Sequence, residues 1–313
     1  MASFDQNHVS VSTLTDTDTY QVPLQNKPFN TDEFILSKTV LIDSLYIHES
    51  SIHRLGKNQD EAYTISDQTG SKGALFDGHG DYSCIKTIRG ANVPIILQLE
   101  LDPLLTLKLL TDDKNLVNRG SGSTAVYGYL SSSSVDISSC GDSKAYVFIN
   151  GILVYTNIGH TWHNESERLR LEGKVSSSND PYIKVIDDDT ITQSQDGWRT
   201  RFPGGLALAP SQSLGHHGIT GYEPETTHIP FELGSLVRVV LVSDGVSDML
   251  HKDSAKDNVA LLTLNAEDLA QYAENKWSKS WTVLMSSGKT YPNYHIPRDQ
   301  FDDISVVVLQ NYE

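Results

Sequence analysis

The sequence predicts a single domain that mixes α and β elements and pairs its strands antiparallel, which weighs against a doubly wound parallel sheet. Three observations carry this expectation. Ala145-Tyr146-Val147-Phe148-Ile149, Asn150-Gly151 and Ile152-Leu153-Val154-Tyr155 set a two-residue turn between β-rich runs, the strongest short-range hairpin signal. Leu236-Val237-Arg238-Val239-Val240-Leu241-Val242 and Ile304-Ser305-Val306-Val307-Val308-Leu309 are near-continuous β-branched runs, as fully buried strands are. Val93 to Val117 instead carries Ile96, Leu99, Leu104, Leu107 and Leu110 at helical spacing, for one or two helices interrupted at Pro103. No internal repeat and no strong boundary divides the 313 residues, which are enough for a large core.

In chain order, residues 1–30 are rich in Ser, Thr, Asp, Gln and Asn and are expected to form a flexible lead-in to a domain over 31–313. Apolar residues recurring from Phe34 to Ile47 supply the first strand. The polar stretch Ser51 to Glu61 is expected to be a loop feeding a strand at Ala62-Tyr63-Thr64-Ile65. Ala74-Leu75-Phe76 then reads as a buried strand end, Asp77 as a carboxylate at the handover, and Gly78-His79-Gly80 as a turn. For this stretch alone, an ordinary strand-ending turn and a functional site serve equally well. Ser123 to Leu130 and Val135 to Ser138 are further strands, the second ending in Cys140-Gly141-Asp142-Ser143. Residues 163–172 read as a helix closed by Gly173. The polar segment 176–200, with Asp187-Asp188-Asp189, is expected to be a solvated loop. Asn265 with Asp268 three positions on marks a helix start.

Lys and Arg number 24 against 40 Asp and Glu, a net charge of −16. That balance argues against a nucleic-acid or anionic-membrane partner, either of which needs a basic patch. Cys84 and Cys140 belong to no Cys-x-x-Cys pair, so a disulfide framework or thiolate zinc site is not expected and a reducing compartment fits. The first residues lack a charged and an apolar region of a secretory signal, Ala2 excludes N-myristoylation, and no apolar run is long enough to span a bilayer. The expectation is a soluble, monomeric, cytoplasmic protein. His160, His163, His216 and His217 read as structural or surface histidines. Gly120-Ser121-Gly122-Ser123-Thr124 lacks the Lys of a P-loop and the spacing of a serine hydrolase.

Asp60, Asp77, Asp142, Asp244 and Asp302 each sit beside a strand terminus. Carboxylates at buried strand ends are costly unless their charge is compensated, and all-oxygen ligation selects Mg²⁺ or Mn²⁺ over zinc. Two such ions stabilise the attacking and leaving oxygens of an in-line displacement at phosphorus.

The order Asn58-Gln59-Asp60, Asp77-Gly78-His79-Gly80, Gly122-Ser123-Thr124, Gly141-Asp142-Ser143-Lys144-Ala145, Ser243-Asp244-Gly245 and Asp302-Asp303-Ile304-Ser305 resembles the metal-dependent protein phosphatases of type 2C. Each motif alone is weak; six in this order, over roughly residues 40–310, are specific. The resemblance implies a four-layer αββα sandwich, two antiparallel sheets flanked by helices. It implies two Mn²⁺ or Mg²⁺ ions, with a third more weakly held, and hydrolysis of phosphoserine and phosphothreonine in protein substrates by a metal-bridging hydroxide. Asp77 matches the bridging carboxylate, Gly78 a carbonyl ligand, and Asp60, Asp244 and Asp302 the other positions of the metal pair. Asp142 and Asp248 match the weaker site, and His79 stands where a general acid would protonate the leaving alkoxide.

The chain departs from that pattern around the substrate. Gln59 stands where many members have Glu, and Leu55 where a phosphate-gripping Arg is expected. Arg54, one position away, is the nearest replacement, with Lys57 a weaker one because it lacks a bidentate fork. Gln212 and His216 replace an Arg and an Asp, while Pro224-Glu225 is kept. Two other functions stay open: a pseudophosphatase that uses the fold to bind a partner, and a hydrolase of small phosphoesters.

Overall fold

The computed structural model describes residues 34–41, 46–99, 102–171, 176–187, 190–202, 205–251, 254–285 and 290–311. The expected lead-in over 1–30, Gly173 and the pair Asp188-Asp189 lie outside the described residues. The chain runs through β1 (Phe34–Leu41), β2 (Tyr46–Arg54), β3 (Asp60–Asp67) and β4 (Gly70–Gly80) into helices α1 (Ser83–Gly90), α2 (Val93–Leu99) and α3 (Pro103–Thr111). Strands β5 (Ser121–Ser123), β6 (Ala125–Ser131), β7 (Ser134–Cys140), β8 (Lys144–Ile149) and β9 (Ile152–Thr156) lead to α4 (Glu165–Leu171). Then come β10 (Ser176–Asp187), β11 (Thr190–Arg201), β12 (Ala207–Leu208), β13 (Leu214–Gly215), β14 (Glu225–Pro230), β15 (Val237–Val242) and α5 (Asp244–Ser247). Helices α6 (Ala255–Thr263) and α7 (Ala266–Trp277) precede β16 (Ser280–Met285), β17 (Thr290–His295) and β18 (Ile304–Asn311).

One sheet has the order β1-β2-β18-β15-β8-β9 and another β13-β5-β4-β6-β7-β14, with β3 paired to β4. Every pairing in both is antiparallel. Alternation along the strands sorts the core into layers. In β15, Val237, Val239 and Leu241 meet Leu75, Val126 and Leu130 between the sheets, while Val240 and Val242 turn outward onto Leu261, Leu269 and Ala273 of α6 and α7. On the far side, Ala74 and Phe76 of β4 pack against Ile85, Leu97 and Leu104 of α1–α3. The order helix, sheet, sheet, helix is the α+β sandwich implied by the resemblance. Gly73 is needed between the sheets, since a Cβ there would stand 2.6 Å from Val307 Cγ1.

Several local expectations are met: the β8–β9 hairpin turns at Asn150-Gly151, where φ is 51° and 77°. Pro103 occupies the first turn of α3 behind an Asp102 cap, and Asn265 caps α7 by accepting from Asp268 N. Others need correction. The polar loop from Ser51 is β-strand as far as Arg54, because α7 satisfies its inward polar groups: Ser51 Oγ donates to Glu267 at 2.7 Å, and His53 faces Glu274 at 2.7 Å. Gly78-His79-Gly80 is no turn but the end of β4, paired with Ser123, Gly122 and Ser121 of β5. The segment 176–200 is no loop: β10 and β11 pair with each other and, with β12, β16 and β17, build a third sheet. Its Ile183, Val185, Ile186 and Ile191 supply β propensity that the surrounding polar residues hide. Helix α1, short and mixed in composition, was not expected.

Candidate metal and catalytic site

Strand ends gather the aspartates at one end of the sandwich. Asp60 opens β3 directly opposite Asp77 of β4, so two like charges form a cross-strand pair, a destabilising arrangement unless a cation intervenes. Asp244 follows β15 at the start of α5, Asp302 precedes β18, and Asp142 precedes β8. Asp248 lies one turn on, its amide donating to Asp244 O at 2.8 Å. Gly245 keeps α5 close to the Asp302-Asp303 turn, since a Cβ there would meet Asp303 O at 2.0 Å. Gly78 is equally constrained, with Ile85 Cγ1 at 2.3 Å and Gln59 O at 2.6 Å from its absent Cβ.

These carboxyls lie within electrostatic reach of one another. Burial raises the Asp77 carboxyl well above the ordinary carboxylate range, and Asp244, Asp60 and Asp302 push it further. Burial with Asp303, Asp302 and Asp244 does the same to Asp60. Asp244 is pushed up to about 7 by burial and by Asp302 and Asp248. Asp142 also rises to about 7, through burial and Asp244. Asp60 Oδ2 and Asp244 Oδ1 are buried with no hydrogen-bond partner. Carboxylates that repel one another and leave oxygens unsatisfied are a donor set suited to hard divalent cations. Among the described residues, no three His, Cys, Asp or Glu side chains close into a ready ion cage. A cation of the protein's own stands among them instead: Lys57 Nζ pairs with Asp302 Oδ2 at 2.7 Å.

Asp303, which sequence reasoning passed over in favour of its neighbour, anchors the β2–β3 loop. Its buried carboxylate accepts from the amides of Leu55 at 2.9 Å, Gly56 and Lys57 at 3.3 Å, and Gln59 at 2.7 Å. Four convergent N–H groups make a nest for one anion. The Gln59 amide donates to Gly80 O at 2.9 Å, tying the same loop to the end of β4.

Arg54 is not among the aspartates: Nη2 pairs with Glu61 Oε1 at 2.7 Å, a carboxylate it shares with Arg89. His79 lies beside Asp77, but its Nε2 faces His216 Nε2 at 2.9 Å, and burial with His216 lowers its pKa to about 3. His216 is therefore no surface residue. It is fully buried, its Nδ1 donates to Arg119 O at 2.8 Å, and Gly122 leaves the hollow both rings fill. The only signal for it in the sequence was its place in the substituted segment after Leu214-Gly215. His160 is structural, accepting from Gly141 N at 3.1 Å. Cys84 and Cys140 are buried and unpaired, and burial pushes the Cys140 thiol up to about 12. Among the described residues no helix is long and apolar enough to cross a membrane.

Comparison with known proteins bears on the family and the fold. A family model described as protein phosphatase 2C matches residues 98–279, more than half of the chain. A probable protein phosphatase 2C 75 of Arabidopsis thaliana is 27% identical over 200 residues, a match covering 60% of this chain but only 43% of the plant protein. Among solved structures, a C. elegans sex determining protein aligns with a TM-score of 0.53 at 18% identity, over 89% of this chain and 64% of that one. A serine-threonine phosphatase 2C of Toxoplasma gondii aligns with a TM-score of 0.52 at 13% identity, over 89% of this chain and 98% of that one. At those identities the two structures speak for the fold alone. The family match, over more than half of the chain, shows that this chain belongs to the protein phosphatase 2C family.

Proposed function

We propose that the domain over residues 31–313 is a metal-dependent protein serine/threonine phosphatase, and that the strand-end aspartates hold its metal pair. The observation that carries this is the mutually repelling set of buried Asp60 and Asp77 with half-buried Asp244 and Asp302, in which Asp60 Oδ2 and Asp244 Oδ1 are left without a hydrogen-bond partner. These side chains and the Gly78 carbonyl would hold two Mn²⁺ or Mg²⁺ ions, and Asp142 and Asp248 a weaker third. Bound there, such ions lower the pKa of water and stabilise the oxygens of an in-line displacement at phosphorus.

The chain's own residues have separate tasks in this reading. Asp303 fixes the loop that presents Asp60, and Gln59 locks that loop to β4. His79, next to Asp77 in the chain, would protonate the departing serine or threonine oxygen. As it stands its ring is neutral and turned to His216, so donation requires it to leave that pair. Arg54 would likewise have to leave Glu61 before it could grip phosphate. These two engagements favour a second reading, a pseudophosphatase that binds a partner without turnover.

Hydrolysis of a phosphothreonine peptide and of p-nitrophenyl phosphate, with Mn²⁺ or with chelator, separates the readings. Cation-dependent turnover abolished in Asp77→Asn and Asp302→Asn is expected. Turnover that survives chelator removes the metal mechanism, and Mn²⁺ binding without turnover favours the pseudophosphatase. An Arg54→Ala variant with unchanged KM for the peptide removes that residue from the site.

A further inference from the structure

Lys57 brings a positive charge directly against one of the strand-end aspartates. Its Nζ lies 2.7 Å from Asp302 Oδ2, within electrostatic reach of Asp244 and Asp77. This placement is built into the backbone. Lys57 N donates to Asp303 Oδ1 at 3.3 Å, Tyr82 Oη donates to Lys57 O at 2.6 Å, and Arg89 Nη2 donates to Asn58 O at 3.0 Å. Asn58 itself takes a left-handed conformation, φ 53°, which turns the chain tightly just after Lys57. The loop is thus fixed on both sides of the lysine while the side chain remains 52% exposed. A flexible four-carbon stem at that exposure can withdraw its ammonium into water without burying the charge elsewhere.

We propose that Lys57 is an internal counter-cation that holds Asp302 until a divalent ion takes that carboxylate, so that it sets how much metal the site requires. The inference rests on the metal-centre reading above. Without an ion, the ammonium partly offsets the repulsion among Asp77, Asp244 and Asp302. With an ion, like charges meet at Asp302, and the lysine must withdraw. The consequence is a site tuned toward weaker metal binding than its carboxylates alone would give.

The test is calorimetric titration of the whole chain with Mn²⁺ at fixed pH after chelation, alongside Lys57→Met, Lys57→Gln and Lys57→Arg, with melting of each chelated protein. The neutral variants are expected to bind Mn²⁺ roughly tenfold tighter or more and to melt lower when chelated. Lys57→Arg, which keeps the charge, is expected to bind like the wild type. Lys57→Gln guards against a folding failure of the methionine variant. Equal Mn²⁺ affinity in wild type and all three variants, with binding still lost in Asp77→Asn, overturns the role of Lys57 and leaves the metal centre standing. No Mn²⁺ binding by any of them overturns both.

Discussion

Asp257 and Asp77 are both buried aspartates, yet the protein treats them in opposite ways. Asp257 accepts from Lys276 Nζ at 2.6 Å, Tyr272 Oη at 2.6 Å and His251 N at 2.8 Å. Burial alone would raise its carboxyl, but these bonds outweigh it and hold the group below its ordinary value. Asp77 faces Asp60 across the ladder and Asp244 beside it, and it is held well above that value. On the metal-centre proposal, a chain that partners one carboxylate fully and leaves others repelling keeps that repulsion for a bound cation. On the proposed reading the repelling cluster is the cation site, while the satisfied one ties α6 to α7.

The comparison can be broken by removing a member of each. Asp77→Asn is expected to lower kcat/KM on a phosphothreonine peptide by roughly a thousandfold or more, about 4 kcal/mol of transition-state stabilisation. The same variant, chelated, is expected to melt no lower than the wild type, because a repelling charge has gone. Asp257→Ala is expected to do the reverse. It strands a buried ammonium and costs about 3–5 kcal/mol by denaturant unfolding, while activity per folded molecule stays the same. If Asp257→Ala is as stable as the wild type, the contrast between the clusters fails.

Acid separates the clusters too. Asp142 and Asp244, raised from an ordinary 3.8 to about 7, hold protons in the folded state that the unfolded chain has already released. They therefore favour folding at low pH, an advantage lost as pH rises through about 7. Asp257, held below its ordinary value, stabilises above that value and loses its contribution as pH falls through its folded pKa. Melting of the chelated protein at several pH values, compared with Asp244→Asn, isolates the first effect. The wild type is expected to gain stability relative to the variant between pH 7 and 4. A difference that stays flat over that window would sink the assignment. The smallest effect expected is from Asn265→Ala, which uncaps α7, the helix that carries Lys276 and Tyr272. It should cost about 1 kcal/mol and leave Mn²⁺ affinity unchanged.

How far the sequence revealed this site depended on sequence distance. Asp60, Asp77, Asp244 and Asp302 were legible because each stands beside its own strand end, where a local pattern suffices. The β8–β9 hairpin and the α7 cap were legible for the same reason. Lys57 facing Asp302, 245 positions away, was not, nor was Asp303 binding the amides of residues 55–57 and 59. Such contacts exist only once β2 and β18 pair. His216 was misjudged because a His-His pair in a polar stretch looks like surface until Gly122 makes room for it. The third sheet was hidden by its polar composition, although β10 and β11 pair along their length.

The central claim is that the strand-end aspartates form one divalent-cation site, and thermal melting with and without Mn²⁺ tests it most directly. Mn²⁺ in excess is expected to raise the melting temperature of the wild type by several degrees and to leave Asp77→Asn unmoved. An equal rise in both proteins, or none in the wild type, would contradict it.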